Sequence, residues 1–260
     1  MLKLFLIGET QTPTFQRLLA ALGEFAPTDE TPDFVLFFRE YPGQYTVAQV
    51  AEVKRRFPIT PLLSVEASLC EGESRTGKPL AGVHSVMWYD FLAQWPRERE
   101  AWRTGKPTVW SQPEMAGADT LALAALDRDE VFDVPPRTLA ISSDDYAYFS
   151  FLRDIFRWPR TFWVEKEPIF DTPDILFFDF PDFTDATKQH FLEMQTCFPK
   201  ARWVAFVAFP RIDEWLWLES RGVTGIFPKP FRINDLRYFL SESKTVSLKI
   251  AKGMGFHDGY

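Results

Sequence analysis

The chain has 260 residues, of which 46% are hydrophobic and 25% charged, a composition typical of globular proteins and a length that favours two domains. Its net charge of −7 disfavours nucleic acid and anionic membrane surfaces as partners, because like charges repel. The two cysteines, Cys70 and Cys197, lie far apart and support neither a disulfide framework nor a metal site. They favour a reduced, cytoplasmic chain.

Short apolar runs alternate with helix-like patterns along the sequence, which indicates βαβ units around a mostly parallel sheet. The apolar start, 2–7, is too short for a signal-peptide core. The elements predicted for the first half are strands at 3–7, 34–38, 62–65 and 83–88 and helices at 14–22 and 47–56. Those predicted for the second half are strands at 138–141, 161–164, 175–179, 202–207 and 225–227 and helices at 146–156, 184–197, 213–221 and 233–240.

The two halves resemble each other as a divergent repeat. Residues 32–38 read PDFVLFF and residues 173–179 read PDILFFD, and each run leads through a loop into a helix that closes on Phe-Pro. Residues 111–136 mix proline, glycine and acidic side chains, which is typical of a linker. The predicted organisation is a first domain at 1–110, a linker at 111–136, a second domain at 137–245 and a tail at 246–260.

Two separated motifs in the second half suggest a family. Asp179 ends a buried apolar strand, and fifty positions later the sequence GIFPKPF brings Lys229 directly before Pro230. In this order and spacing the second half resembles a response-regulator receiver domain over roughly 136–243. The resemblance implies that Asp179 is a phosphoryl acceptor, that Lys229 pairs with the phosphoryl group and that the bond before Pro230 is cis. It also implies two flavodoxin-like, doubly wound α/β domains in tandem, each with the strand order 2-1-3-4-5.

Several departures from the family affect this expected site. The two acids that hold Mg²⁺ in the family correspond to Ser142 and Ser143, with Asp144 and Asp145 just beyond as candidate metal ligands. Those two aspartates are equally the residue types that cap a helix beginning at 146. Receiver domains have a hydroxyl side chain at the end of the fourth strand and an aromatic switch residue three positions before the lysine. The resemblance places Val207 and Ile226 at these two positions.

In the first half the same positions have lost the chemistry. The acceptor position falls on Phe38, and the Lys-Pro position reads Trp88-Tyr89-Asp90. The fourth helix is replaced by a polar, glycine-containing loop at 66–82. Two interpretations remain open for the charged residues in and before this loop: they form a small-molecule site, or they pair with one another in a solvated loop. These residues are Arg39, Glu40, Glu71, Glu73 and Arg75.

The surplus of aromatic residues, 26 Phe and nine Trp, points to interfaces. Helical spacing places Trp215 on the core face of its helix and Trp217 on the opposite side. The same spacing places Phe151 and Ile155 on the core face of the helix at 146–156, and Phe149 and Phe156 fall away from them. Trp217, Phe149 and Phe156 are therefore candidate interface residues, with local coverage by the linker or tail as the alternative.

The sequence thus predicts a non-enzymatic signalling protein made of two pseudo-receiver domains that act through protein–protein contacts. Its expected partner is a second copy of the chain or a histidine kinase, with neither nucleic acid nor membrane. No cofactor is expected beyond a Mg²⁺ ion in the second domain. Two alternatives remain open: a response regulator that is phosphorylated at Asp179, and a small-molecule-binding protein or enzyme that uses the loop at 66–82.

Overall fold

The computed structural model describes residues 1–73, 77–106, 108–112, 134–166, 169 and 172–241. Within them the fold is α/β, with two five-stranded parallel sheets that are flanked by helices. The predicted fold class, two doubly wound domains in tandem, is confirmed.

The first half contributes one sheet and its helices. Its strands are β1 Leu2–Ile7, β2 Phe25–Pro27, β3 Phe34–Arg39, β4 Leu62–Glu66 and β5 His84–Met87. Its helices are α1 Pro13–Leu22, α2 Val47–Arg56 and α3 Trp88–Arg103, with short 3₁₀ turns at Ser68–Cys70 and Val109–Ser111. The hydroxyl of Thr46 accepts from the backbone N–H of Gln49 while the Gln49 side chain accepts from that of Thr46, so a capping box starts α2.

The second half repeats this arrangement. Its strands are β6 Leu139–Ser142, β7 Thr161–Trp163, β8 Ile175–Phe180, β9 Arg202–Ala208 and β10 Gly225–Lys229. Its helices are α4 Tyr146–Phe156, α5 Asp185–Cys197, α6 Ile212–Ser220 and α7 Ile233–Ser241. Thr184, which occupies the place that Thr46 has in the first half, accepts a hydrogen bond from the backbone N–H of Thr187 and caps α5.

Both sheets have the same strand order, β2-β1-β3-β4-β5 and β7-β6-β8-β9-β10, which is the predicted 2-1-3-4-5. An equivalent hydrogen bond marks the repeat. An Oδ2 of Asp33 accepts from the backbone N–H of Lys3 at 2.7 Å, and Asp174 accepts from that of Thr138 at 2.8 Å. Each aspartate directly precedes the central strand of its sheet and thereby ties that strand to the start of the first strand.

A continuous hydrophobic cluster joins the two halves. It contains Phe15 and Leu18 of α1, residues of the first sheet, and Phe191 and Leu218 of α5 and α6. Helix α3 also lies against β10 and α7 of the second half. The described helices α1, α3, α5 and α6 therefore share a core between the two sheets, and burial of that core couples the halves.

Helix α3 was not predicted. Pro96 stands in its interior, and a proline there removes a backbone donor and normally ends a helix. Nine buried side chains on α3 show what outweighs that cost: the helix is packed on more than one side. The stretch 83–88 was predicted as strand throughout, whereas the strand ends at Met87 and the helix begins at Trp88.

The predicted core face of α4 is correct for Ile155, which packs against the core, and wrong for Phe151. Phe149 is buried and stacks on Trp163 at 4.9 Å between ring centroids, whereas Phe151, assigned to the core, is 42% exposed. Phe156 is partly buried and packs against Trp158 and Phe177. Positions 149, 152 and 156 form the stripe that faces the sheet, so Phe149 and Phe156 serve the domain's own core.

Among the described residues, no helix is both long and apolar enough to cross a bilayer.

Candidate functional site

The carboxyl edge of the second sheet brings Asp179 and Lys229 together. Asp179 lies near the end of β8 and is 8% exposed, and Lys229 is the last residue of β10. The Lys229 ammonium donates to Oδ1 of Asp179 at 2.5 Å and to the carbonyl of Phe180 at 2.9 Å. The peptide bond between Lys229 and Pro230 is cis.

The second carboxylate oxygen of Asp179 is held by a serine. The Ser143 hydroxyl donates to Oδ2 of Asp179 at 2.8 Å, and the Ser143 side chain is itself buried. The indole N–H of Trp163 donates to the Ser143 carbonyl at 2.8 Å and fixes the backbone there. Both oxygens of the carboxylate thus have protein donors, a cation on one side and a hydroxyl on the other.

Two further side chains at this edge, Tyr148 and Glu165, were not predicted from the sequence. The Lys229 ammonium lies 5.4 Å from the centre of the Tyr148 ring, and the Tyr148 hydroxyl is buried without a hydrogen-bond partner. Burial, with the charge of Asp179 added, raises the pKa of Tyr148 far above its usual range. Glu165 accepts from the Ser142 hydroxyl at 2.5 Å.

The residues at this edge do not fit a Mg²⁺ ion in the way that receiver domains hold one. Ser142 and Ser143 stand where two carboxylates are needed, and Mg²⁺ prefers charged oxygen ligands. Asp144 is exposed, and Asp145 caps α4 by accepting from the backbone N–H of Ala147 at 2.8 Å. Among the described residues there is no group of three or more His, Cys, Asp or Glu placed to hold a metal ion.

The strand registers locate the two positions that the resemblance assigns to switching. Val207 pairs with Phe180 at the end of the central strand and is buried, so no hydroxyl lies there. Ile226 on β10 is buried in the shared core. Each position therefore carries an aliphatic side chain that packs in the core and has no group that could hydrogen-bond a phosphoryl group.

In the first half the equivalent edge is filled by side chains. The registers align Gly8 with Ser143, Phe38 with Asp179 and Trp88 with Lys229. Gly8 has φ +116°, and a Cβ there would lie 2.6 Å from the Phe38 carbonyl oxygen and clash with the Tyr45 hydroxyl. That hydroxyl donates to the Phe38 carbonyl at 2.7 Å, so a phenol occupies the place that Ser143 has in the second half.

A buried ionic cluster closes the same edge of the first sheet. Arg39, the last residue of β3, is fully buried and contacts Glu66 at 3.0 Å and Glu73 at 2.6 Å. The predicted mutual pairing of charges in this loop is correct for Arg39 and Glu73, but the pair is buried rather than solvated. Glu71 accepts from the Tyr89 hydroxyl at 3.2 Å, and Arg75 lies outside the described residues.

Cys70 lies in this loop and is 1% exposed, whereas Cys197 on α5 is exposed. Burial, together with the nearby Glu66 carboxylate, raises the pKa of the Cys70 thiol to about 12. We expect iodoacetamide at pH 8 to alkylate Cys70 about 100-fold more slowly than Cys197, because the thiolate is the nucleophile. Peptide mass spectrometry over a time course gives the two rates, and urea-unfolded protein is the control. Similar rates in the folded protein would contradict the burial of Cys70.

The contact between the halves is made by Trp215 rather than Trp217. Trp215 is buried and meets Trp88 of the first half edge-on at 5.3 Å between ring centroids. Trp217 is half-buried against Phe183 and Phe191, both in the second half. The prediction that Trp215 lies on the core face is confirmed, and the core it enters is shared with the first half. The prediction that Trp217 projects outward is wrong, because its ring packs against Phe183 and Phe191.

A carboxylate next to Trp215 reinforces this contact. The Trp215 indole N–H donates to Glu219 at 2.9 Å, and the same carboxylate accepts from Arg17 on α1 through both Nε and Nη2. The shared core, the tryptophan pair and this bidentate ion pair hold the two domains against each other.

Comparison with known proteins adds no family assignment. No protein-family model matches the chain, and no curated protein matches it. The class that the fold defines is a pair of doubly wound parallel α/β domains.

Proposed function

We propose that this chain is a non-enzymatic regulatory protein whose two receiver-like halves act through contacts with another protein. The observation that carries the proposal is the state of Asp179. Its two carboxylate oxygens are taken up by Lys229 and Ser143, so the group serves as a buried structural link across the sheet. Phosphoryl transfer to a carboxylate needs a metal ion beside it to offset the charge of the phosphoryl group, and Ser142 and Ser143 stand where the acids that would hold the ion are needed.

The first half supports the same conclusion. Phe38 stands at the acceptor position and cannot take a phosphoryl group. The phenol of Tyr45 and the ionic cluster around Arg39 fill the edge where ligands bind in this fold.

The partner that this proposal requires is a protein, either a second copy of the chain or a histidine kinase, in the cytoplasm. The acidic net charge of −7 argues against nucleic acid and anionic membranes. Neither a cofactor nor a substrate is part of the proposal.

We expect that acetyl phosphate or beryllofluoride, each with Mg²⁺, leaves Asp179 unmodified. The reason is that Ser142 and Ser143 replace the acids that would hold the metal. Intact-mass spectrometry tests for a covalent phosphoryl group, and ¹H–¹⁵N spectra of the whole chain test for beryllofluoride binding. A receiver domain with a complete acid pair, treated in the same way, is the positive control.

The alternative function, phosphorylation at Asp179, is favoured by the position of Asp179 and Lys229, which lie together at the carboxyl edge of the sheet, where ligands bind in this fold. A phosphoryl adduct mapped to Asp179, and lost in Asp179→Asn, would establish that alternative. With Val207 and Ile226 at the switch positions, amide shifts on modification should remain close to Asp179. Shifts that extend through α6 and α7 would show that a switch operates by another route.

The third hypothesis, an enzyme built on the loop at 66–82, gains no support from the described part of that loop. Cys70 there is buried with a raised pKa, and Arg39 is occupied by two glutamates. A reactive nucleophile would need exposure and a lowered pKa.

A further inference from the structure

Residues 67–73, which follow β4 at the carboxyl edge of the first sheet, are held by side chains of the first turn of α3. The indole N–H of Trp88 donates to the Ser68 hydroxyl at 3.2 Å, and the Tyr89 hydroxyl donates to Glu71 at 3.2 Å. The rings of Trp88 and Tyr89 meet edge-on at 5.6 Å between centroids. We call residues 67–73 the edge segment; α3 anchors it at two points.

The far end of the edge segment is anchored inside the first half. Glu73 contacts the buried guanidinium of Arg39 at 2.6 Å. Between this anchor and the two on α3 lies Cys70, which is 1% exposed. The closed edge segment therefore keeps the Cys70 thiol from water, and the rate at which the thiol is alkylated reports how often the segment opens.

Trp88 belongs to the contact between the halves as well as to the edge segment. Its side chain is fully buried, its N–H binds Ser68, and its ring meets the ring of Trp215 in the second half at 5.3 Å. When the halves separate, water reaches the indole. The bond to Ser68 then competes with water and weakens, because a hydrogen bond is stronger where water is excluded.

The same connection works in the other direction. If the edge segment opens, the indole N–H of Trp88 loses its acceptor while the ring stays against Trp215. A buried donor without a partner costs free energy, which disfavours the docked arrangement of the halves.

We propose that undocking of the second half and opening of the edge segment are one cooperative step, with Trp88 as the shared residue. A change that promotes either event then promotes the other by the same factor, since coupling between two sites is reciprocal. The docking of the halves is thereby transmitted to the carboxyl edge of the first sheet. This link lies within the chain and does not depend on the proposed signalling function.

Two readings on the whole chain test the proposal. The rate of Cys70 alkylation by iodoacetamide at pH 8 measures opening of the edge segment, and hydrogen–deuterium exchange of α6 peptides measures undocking. Arg17→Met removes the ion pair with Glu219 across the halves and should raise both readings by the same factor, about threefold. Arg103→Met breaks an exposed ion pair within α3 and should leave both unchanged.

The reciprocal variant changes the edge segment itself. Glu73→Gln weakens the pairing with Arg39 and should raise Cys70 alkylation about tenfold. Exchange of α6, in the other half, should rise by the same factor.

Val50→Ala on α2 distinguishes undocking from unfolding of the whole chain. Val50 is buried in a separate cluster on the other face of the first sheet, so its packing survives when the halves undock. The variant should speed exchange of β3 but leave Cys70 alkylation and α6 exchange at the wild-type level. The proposal is overturned if Arg17→Met or Glu73→Gln fails to raise the two readings together, or if Val50→Ala raises them.

Discussion

Replacing Trp215 with alanine should lower the free energy of unfolding by about 3–5 kcal/mol, the cost of a large cavity in a packed core. The loss should be felt in both halves, because the Trp215 ring contacts Trp88 and its N–H binds the glutamate that Arg17 also binds. Urea unfolding followed by circular dichroism measures the change. Exchange of α1 amides, in the other half, should rise in the same variant.

Trp217→Ala is the matched control, since it removes the same side chain two residues further along α6. Trp217 is half-buried and packs against Phe183 and Phe191 of its own half, so the expected loss is about 1–2 kcal/mol. Exchange of α1 should stay at the wild-type level. Equal losses in the two variants, with α1 unaffected in both, would show that Trp215 does not join the halves.

Replacing Arg39 with methionine should destabilise the chain by about 3–5 kcal/mol, because Glu66 and Glu73 then stay buried without a counter-charge. Methionine preserves most of the apolar stem, so the loss reports the charge rather than a cavity. Thermal and urea unfolding of the variant measure it.

The rescue variant distinguishes a buried ionic cluster from simple packing. Adding Glu66→Gln and Glu73→Gln to Arg39→Met removes the uncompensated charges and should recover much of the lost stability. Arg103→Met, which breaks the exposed ion pair with Glu100, should leave stability unchanged. Failure of the rescue would mean that Arg39 acts through its shape and not through its charge.

The sequence was sufficient for most of the described strands because their signal is local, whereas β2, Phe25–Pro27, was not predicted: it has three residues and none of them is buried. Within 173–179 the four residues 175–178 are all apolar, as expected of a strand covered on both faces, and β8 begins at Ile175. The partnership of Asp179 and Lys229 was also predictable, since parallel strands bring their carboxyl ends to one edge. The first inference needs only the local pattern, and the second also needs the strand order that the resemblance to receiver domains implies.

The predictions that were wrong depended on what each helix meets. Helical spacing placed Trp215 and Trp217 on opposite faces but could not tell which face meets the other half. The same ambiguity reversed Phe149 and Phe151 on α4. For α3 the local cost of Pro96 was visible in the sequence, whereas the packing that outweighs it comes from β10, more than a hundred residues later.

That shared core has a consequence for synthesis on the ribosome. When the first half emerges, the partners of Trp88 and Arg97 have not yet been translated, because Trp215 and Asp235 lie near the other end of the described chain. Until then the nascent first half exposes to the cell an apolar ring and a charged side chain that are buried in the folded protein, a state prone to aggregation and to chaperone binding. Slow translation through the second half would lengthen that exposure, so the yield of folded protein should fall with the elongation rate there.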